Sequence, residues 1–225
     1  MSDPLLLCWD TSAAHCAATL FRGDVALAAH AEAMGRGQAE ALMPALERLL
    51  AQAGADWADL TALGVGIGPG NFTGVRISVA AARGLSLALE IPAIGISTFD
   101  LIRDGSTQAA AELVSVPAPR DMAHVQPYGD GRPAGAPRLI DPADPPQDLH
   151  LPVTMRVIGH RAAEIARALG TGHQEATLED LPRRLGRVTG WKWRNGIDTD
   201  RRPAPLYVRP ADAAPPADPP PVPID

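Results

Sequence analysis

The chain has 225 residues, of which 46% are hydrophobic and only 4% aromatic, and its formal net charge is −6. This length allows one large domain or two small ones, and the core must be aliphatic and alanine-rich. The acidic balance disfavours direct, strong binding of nucleic acid. We identify neither an 18-residue apolar run nor a leader pattern, so we expect a cytoplasmic protein with no membrane segment. The two cysteines, Cys8 and Cys16, lie in apolar runs and are expected to be buried thiols rather than a disulfide or a metal pair.

The N-terminal third is predicted to begin with three strands joined by short polar turns, which indicates an antiparallel meander. The strands cover residues 5–9, 16–21 and 25–31. A helix is predicted over residues 37–54, because leucines recur there with a 3.6-residue period. Pro44 lies inside this helix, where proline would cost about 3 kcal/mol, so the helix either starts near Leu42 or is kinked.

A glycine-rich loop, Gly-Pro-Gly-Asn-Phe-Thr-Gly at residues 68–74, joins a strand at residues 63–67 to an apolar helix at residues 75–89. Glycine permits close backbone approach, and a helix start presents unpaired N–H groups, so the loop is a candidate phosphate cradle. It matches neither the Gly-x-x-x-x-Gly-Lys pattern nor a dinucleotide-binding unit. The alternative is a tight strand-to-helix turn in which Thr73 is the N-cap.

The predicted order β-β-β-α-β-α-β-α ends with a strand at residues 93–96 and a helix from Ser97 or Thr98, so the chain is α/β. Further strands are predicted at residues 112–116, 122–128 and 155–158, and a short helix at 161–169. The stretch 117–152 is rich in Pro, Gly and Asp and predicts long loops, and the proline-rich end predicts a disordered tail. We therefore divide the chain into residues 1–105, 106–202 and 203–225.

Four segments resemble the TsaB (YeaZ) family of bacterial tRNA-modification proteins. They are Leu-Cys-Trp-Asp-Thr-Ser at residues 7–12, the loop and helix start at 68–76, Ile-Pro-Ala-Ile-Gly-Ile-Ser-Thr at 91–98, and the closing stretch 205–212. The resemblance implies an actin-like (ASKHA, ribonuclease H-like) α/β fold of two related subdomains, of which the second is reduced and divergent.

The same resemblance implies a non-catalytic protein required for N6-threonylcarbamoyladenosine at position 37 of tRNAs that read codons starting with A. Family members pair with a catalytic paralogue, TsaD, and with a small ATPase, TsaE. The chain would then meet tRNA indirectly, through the complex, and ATP, ADP and metal are expected on the partner subunits rather than on this chain.

The metal site of TsaD offers a test of this expectation, because the paralogue uses a His-x-x-x-His motif. No two of the six histidines here stand four residues apart, and the matching segment, residues 96–102, contains one carboxylate and two hydroxyls. A zinc or transition-metal site needs three or four N, S or carboxylate ligands. The sequence therefore predicts neither a metal site nor a catalytic residue.

The helix at residues 75–89 is apolar or small on nearly all sides, so either the chain itself or another protein must cover its outer face. Its small residues would let a second helix approach closely. In the family, this helix and the preceding one meet TsaD in a bundle of helices, so the resemblance favours a heterodimer. The predicted interface residues are Met43, Leu46, Arg76, Ala81 and Leu85. The same face is expected to form a homodimer when the chain is alone.

In actin-like kinases, the hairpin that follows the first strand approaches the nucleotide phosphates. The residues of a candidate vestigial phosphate loop are Asp10, Thr11, Ser12, Gly70, Asn71 and Thr73. The alternative is a turn whose side chains bond the local backbone. An ATPase or small-molecule kinase of the same fold and a metallopeptidase-like protein are accordingly the alternative functions.

One basic and aromatic patch lies near the C-terminal end. It contains Arg183, Arg184, Arg187, Trp191, Lys192, Trp193 and Arg194. The patch could contact tRNA phosphates while tryptophan stacks on bases, or it could be a solvated helix end.

Overall fold

Two β-sheets form the framework of the computed structural model, which describes residues 3–104, 111–146, 148–149 and 155–208. The first sheet has the order β3-β2-β1-β4-β5. Its strands are β1 (Leu5–Asp10), β2 (His15–Arg22), β3 (Val25–Ala33), β4 (Ala62–Gly68) and β5 (Ala93–Ser97). Strands β1 to β3 are antiparallel, and β4 and β5 run parallel to β1 and β4 respectively. The five strands predicted for this part of the chain are confirmed.

Two helices, α1 (Gln38–Gln52) and α2 (Phe72–Leu89), cover one face of this sheet. Pro44 lies inside α1, so the predicted alternative of a helix start near Leu42 is wrong. Proline removes the hydrogen bond to the carbonyl four residues earlier, that of Glu40. Both Pro44 and Glu40 are exposed, so water can replace the missing donor.

The second sheet has the order β11-β10-β6-β7-β8, with β9 paired to β7. Its strands are β6 (Ala111–Pro117), β7 (Ala123–Gly129), β8 (Arg132–Pro133), β9 (Arg138–Ile140), β10 (Arg156–Gly159) and β11 (Gly172–Gln174). Helix α4 (Ala162–Leu169) packs on this sheet through Ile165 and Ala166. The predicted strands and helix of this region are confirmed, but β8 and β9 lie in the stretch predicted as loop, because both pair with β7.

Two further helices, α3 (Thr98–Arg103) and α5 (Leu181–Arg194), complete the described elements. Helix α5 packs on the free face of the first sheet, where Leu185 and Val188 meet Leu6 and Phe21. A Cβ on Gly186 would collide with the Phe21 ring, so only glycine allows α5 to lie this close. Helix α5 belongs to residues 106–202, yet its core contacts are with the first sheet. The three-part division of the chain stays a prediction.

Residues 199–207, which we call the strap, return from α5 to α2 along the edge of the first sheet. The Leu206 N–H donates to the Ile67 carbonyl at 2.8 Å, and Arg83 Nε donates to the Pro203 carbonyl at 2.8 Å. The predicted disordered tail falls on residues 209–225, which lie outside the described ranges.

Within the described residues, α2 is one helix whose 18-residue length and mean hydropathy of 1.2 would allow it to cross a membrane. Five of its 18 residues, or 28%, are buried by the rest of the chain. Its outer face is exposed and carries apolar and small residues as well as arginines.

Candidate functional site

The carboxylate of Asp10, at the end of β1, is buried and is satisfied by its own hairpin. Its Oδ1 accepts from the Ser12 N–H at 2.7 Å and from Ser12 Oγ at 2.8 Å. Nε2 of His15 lies 2.8 Å from the same oxygen. Three local groups, the Ser12 N–H, the Ser12 hydroxyl and the His15 ring, therefore use one oxygen of this carboxylate.

The loop between β4 and α2 packs directly on this hairpin. Thr11 Oγ1 donates to the Gly74 carbonyl at 2.7 Å, and the Asn71 N–H donates to the Ser12 carbonyl at 2.5 Å. A Cβ on Gly70 or Gly74 would collide with the Ser12 or Thr11 carbonyl. The predicted phosphate-loop residues therefore do meet, and the loop glycines are explained by backbone-to-backbone contact.

The start of α2 is capped by Asn71, whose Oδ1 accepts from the Thr73 N–H at 3.0 Å and the Gly74 N–H at 3.1 Å. The prediction of Thr73 as N-cap is wrong, because the helix begins one residue earlier, at Phe72. Two N–H groups that a phosphate would need are thus already paired. This geometry favours the tight-turn alternative over the phosphate cradle.

A stripe of exposed residues runs the length of α2, and we call it the α2 stripe. It comprises Phe72, Arg76, Ala80, Gly84 and Leu87, which recur every three or four residues and so share one face. Leu87 is 79% exposed, and a Cβ on Gly84 would meet no atom within 4 Å. The middle of the stripe therefore has small side chains and open space above it.

Elements of the same chain border the α2 stripe on both sides. Ala81 and Leu85 turn towards α1 and pack on the core cluster of the first sheet. On the opposite side, Arg76 and Arg83 are hydrogen-bonded to Tyr207 and Pro203 of the strap. The stripe therefore has small residues at its centre and a border of the same chain on each side. We refer to this strip as the groove, and it suits a helix of another molecule.

One end of the groove carries a cluster of exposed aromatic rings around an arginine. The guanidinium of Arg76 lies 3.7 Å from the centre of the Phe72 ring, and its Nε donates to Tyr207 Oη at 3.0 Å. The Phe72 and Tyr207 rings are 5.2 Å apart. Preordered tyrosine and arginine side chains are typical of residues that dominate binding energy in protein interfaces.

The predicted interface residues differ in their exposure. Met43 is 37% exposed on α1, Arg76 lies on the stripe, and Ala81 and Leu85 are half-buried at its border. Leu46 is fully buried, because it lies on the side of α1 that packs on the sheet, so it cannot contact a partner directly. This part of the prediction is wrong.

The sequence prediction missed other residues of this surface. The helical spacing from Phe72 to Leu87 could have identified the α2 stripe itself. No sequence signal places Tyr207, at the other end of the chain, beside Arg76.

The cations of α5 are engaged in contacts within the chain. Arg187 pairs with Asp104, Arg194 Nη1 lies 3.2 Å from a carboxylate oxygen of Asp24, and Arg184 Nη1 donates to the Leu101 carbonyl at 2.9 Å. These contacts favour a packed helix over a surface that binds tRNA phosphates.

Lys192 makes the most buried of these contacts. Its Nζ donates to the Gly95 carbonyl at 2.8 Å and lies 3.0 Å from Asp100 and 3.3 Å from Asp198. Burial alone would lower the pKa of Lys192, but these two carboxylates raise it. Burial alone would raise the pKa of Asp100, but Lys192, the Ser97 N–H and the Tyr128 hydroxyl together lower it. Both groups therefore stay charged.

The thiols of Cys8 and Cys16 are free and buried, as predicted. Burial raises the pKa of Cys8 to about 12, although a hydrogen bond to Thr189 acts in the opposite direction. Within the described residues, no group of three or more His, Cys, Asp or Glu side chains could hold a metal ion.

The fold defines the class of protein as actin-like α/β. The ROK hexokinase of Thermus thermophilus superposes with a TM-score of 0.52 and 15% identity over 86% of this chain and 100% of that one, a likeness that shows the fold alone. The family model described as "TsaD: tRNA N6-adenosine threonylcarbamoyltransferase" matches residues 30–116.

Two further proteins are similar to this chain. The tRNA threonylcarbamoyladenosine biosynthesis protein TsaB of Escherichia coli (strain K12) is 37% identical over 101 residues, which are 45% of this chain and 43% of that protein. The structure of an uncharacterized Pseudomonas aeruginosa protein with similarity to peptidase YEAZ matches with a TM-score of 0.68 and 25% identity, over 92% of this chain and 100% of that one. Over the matched residues the chain is therefore similar to proteins of the TsaB (YeaZ) family. The sequence match itself spans less than half the length of the curated relative.

Proposed function

We propose that this chain is a non-catalytic partner of TsaD in the formation of N6-threonylcarbamoyladenosine at position 37 of tRNAs that read codons starting with A. The names of its TsaB relatives support the pathway. The observation that carries the partnership is the α2 stripe, an exposed strip of apolar and small residues around Arg76, on a helix of which five of 18 residues are buried.

In this proposal, a helix of TsaD lies in the groove. Ala80 and Gly84 let its backbone come close, while Leu87 at one end and the Phe72–Arg76–Tyr207 cluster at the other supply the large contacts. Burial of this surface stabilises the form of TsaD that is competent for catalysis. TsaE joins the complex, and tRNA reaches the chain only through it.

The hydrogen bonds within the hairpin and at the start of α2 support the non-catalytic role. The Asp10 carboxylate is used by Ser12 and His15, and the start of α2 is closed by Asn71. An ATPase or kinase would need both of these groups free for the nucleotide. ATP, ADP and metal are therefore assigned to the partner subunits. The proposal also includes a cytoplasmic location for the chain.

Calorimetric titration of TsaD with this chain tests the proposal. Ala80→Glu places a longer, charged side chain in the centre of the groove, where it would obstruct a closely packed helix and lose water on binding, so affinity should fall at least about tenfold. The matched control is Ala168→Glu, on an exposed position of α4. Equal binding by Ala80→Glu and wild type would exclude the groove as the TsaD site.

The same surface should pair two copies when TsaD is absent, because so large an apolar face seldom remains bare. Sedimentation velocity of the free chain should show a dimer that Ala80→Glu, but not Ala168→Glu, converts to monomer. A wild-type chain that stays monomeric over the accessible concentration range would contradict this part of the proposal.

A further inference from the structure

A cleft of about 310 Å³ lies between the edge of the first sheet, strands β7 and β8 of the second sheet, and the strap. Its apolar wall includes Ile67, Pro133 and Leu206. Its polar wall includes Gln126, Lys192 and Arg202. The hairpin residues Asp10, Thr11 and Ser12 are not part of the lining, so this strap cleft is separate from the region that resembles a phosphate loop.

The amide of Gln126 is the unexplained group in this cleft. The residue is only 6% exposed, and its Nε2 donates to the Gly135 carbonyl at 3.1 Å. A carbonyl can only accept, so the amide nitrogen must be the end that faces Gly135. Oε1 is then left buried without a hydrogen-bond partner. A buried acceptor without a donor is unfavourable, and a ligand that supplies an N–H would relieve it.

The charges that line the cleft leave one cation in excess. Lys192 is committed to Asp100 and Asp198, and Arg201 lies 3.9 Å from Asp198. Among the residues that the structure describes, no carboxylate lies within ion-pair distance of Arg202. Three cations therefore face two carboxylates, which suits a monoanion. A guanidinium is planar and binds a carboxylate through two parallel hydrogen bonds.

We infer that the strap cleft binds a small carboxylate that also carries an amide or amine N–H. The carboxylate pairs with Arg202, and the N–H donates to Gln126 Oε1. The size agrees, because the volume of the cleft is at the low end of the range for small-molecule pockets. A carboxylate is favoured over a phosphate because a phosphate carries close to two charges at neutral pH.

The test is an NMR titration of the ¹⁵N-labelled full chain with N-acetylglycine, which has one carboxylate and one amide N–H. Saturable shifts are expected in the Gln126 side-chain amide and in the backbone amides of Gly95 and Leu206. Acetate, which lacks the N–H, should bind at least about tenfold more weakly, as should N-acetylglycinamide, which lacks the charge.

Two variants assign the contacts. Arg202→Met should weaken N-acetylglycine about tenfold or more, whereas Arg36→Met, at an exposed arginine outside the cleft, should leave binding unchanged. Gln126→Leu should lower the affinity for N-acetylglycine to that for acetate, and it should leave the affinity for acetate unchanged. If Gln126→Leu does not fold, the comparison of the two probes on wild type answers the same question.

The inference is overturned if no probe gives saturable shifts, or if the shifts centre on the Asp10 hairpin. It is also overturned if inorganic phosphate binds more tightly than N-acetylglycine, since the site would then select a phosphate. None of these results depends on TsaD binding, so they leave the proposed function untouched.

Discussion

Lys192 and Asp100 form an ion pair in the interior, with side chains that are 8% and 9% exposed. The Tyr128 hydroxyl donates to Asp100 at 2.9 Å, and the Gly95 carbonyl accepts from Lys192. These contacts join β7 of the second sheet, α3, α5 and β5. Because both side chains are buried, removal of one charge leaves the other without this counter-ion in a site with little water.

Lys192→Met should therefore destabilise the chain by about 3–5 kcal/mol in urea unfolding, since Asp100 is left without its cation. The double variant Asp100→Asn/Lys192→Met should be less destabilised than the sum of the two single variants, because neither member of the pair is left charged without the other. Strict additivity would show that the pair is not coupled.

The pKa of Asp100 also predicts a pH dependence. It is lowered in the folded chain, so its contribution to stability is complete above the pKa of the unfolded chain, about 4, and is lost as the pH falls through the folded value. The difference in unfolding free energy between wild type and Asp100→Asn should stay constant from about pH 5 to pH 8 and shrink below about pH 4. A difference that grows on acidification would have the wrong sign and would refute the assignment.

Asn71 and Thr73 offer a second test at the scale of single residues. Asn71→Ala should destabilise the chain by about 1 kcal/mol, because two N–H groups of α2 lose their acceptor. Thr73→Ala should change the melting temperature little, since Thr73 is exposed and is not the cap. A larger loss of stability in Thr73→Ala than in Asn71→Ala would instead support Thr73 as the N-cap, as predicted from the sequence.

At the scale of elements, Gly84 of α2 and Gly186 of α5 have opposite roles. Gly84→Ala should stabilise the free chain by about 0.5–1 kcal/mol, because the new methyl group meets no atom and alanine favours a helix. Gly186→Ala, on α5, should destabilise it by about 1–3 kcal/mol, because its methyl group would overlap the Phe21 ring. Thermal unfolding of both variants measures this contrast, and destabilisation by Gly84→Ala would mean that the groove is filled by the chain itself.

The elements that the sequence predicted best are those with regular apolar periods, such as β1, β4 and the leucine face of α1. Helix α5 was not predicted as a core helix, because Leu185 and Val188 are interspersed with arginines and the burial of Lys192 depends on Asp100, 92 positions earlier. Strands β8 and β9 have two and three residues and exist only through pairing with β7. Packing and strand pairing with residues distant in the sequence leave no pattern in the local sequence.

The candidate surface was predicted in part for the same reason. The apolar character of α2 was evident from its composition, and so was the expectation that its outer face needs a cover. Which residues face outward depends on where α1 and the strap pack. Ala81 and Leu85 consequently lie at the border, while Ala80 and Gly84 form the floor of the groove.

At the scale of the whole molecule, the chain covers both faces of its first sheet and leaves the outer face of one long apolar helix exposed. Helices α1 and α2 lie on one face of the sheet and α5 lies on the other, while the strap bonds to Ile67 at the end of β4. Thr11 of the hairpin and Pro203 and Tyr207 of the strap are hydrogen-bonded to α2 and help to hold it in place. The proposed function therefore depends on an exposed surface of the molecule rather than on a catalytic pocket.

Modification of tRNA by purified TsaD and TsaE, supplied with threonylcarbamoyl-AMP, tests this claim most directly. Wild-type chain and the Ala168→Glu control should support formation of N6-threonylcarbamoyladenosine, and an equally folded Ala80→Glu chain should support at most about a tenth of that rate at limiting concentration. Full activity of folded Ala80→Glu, or equal modification with the chain left out, would contradict the account.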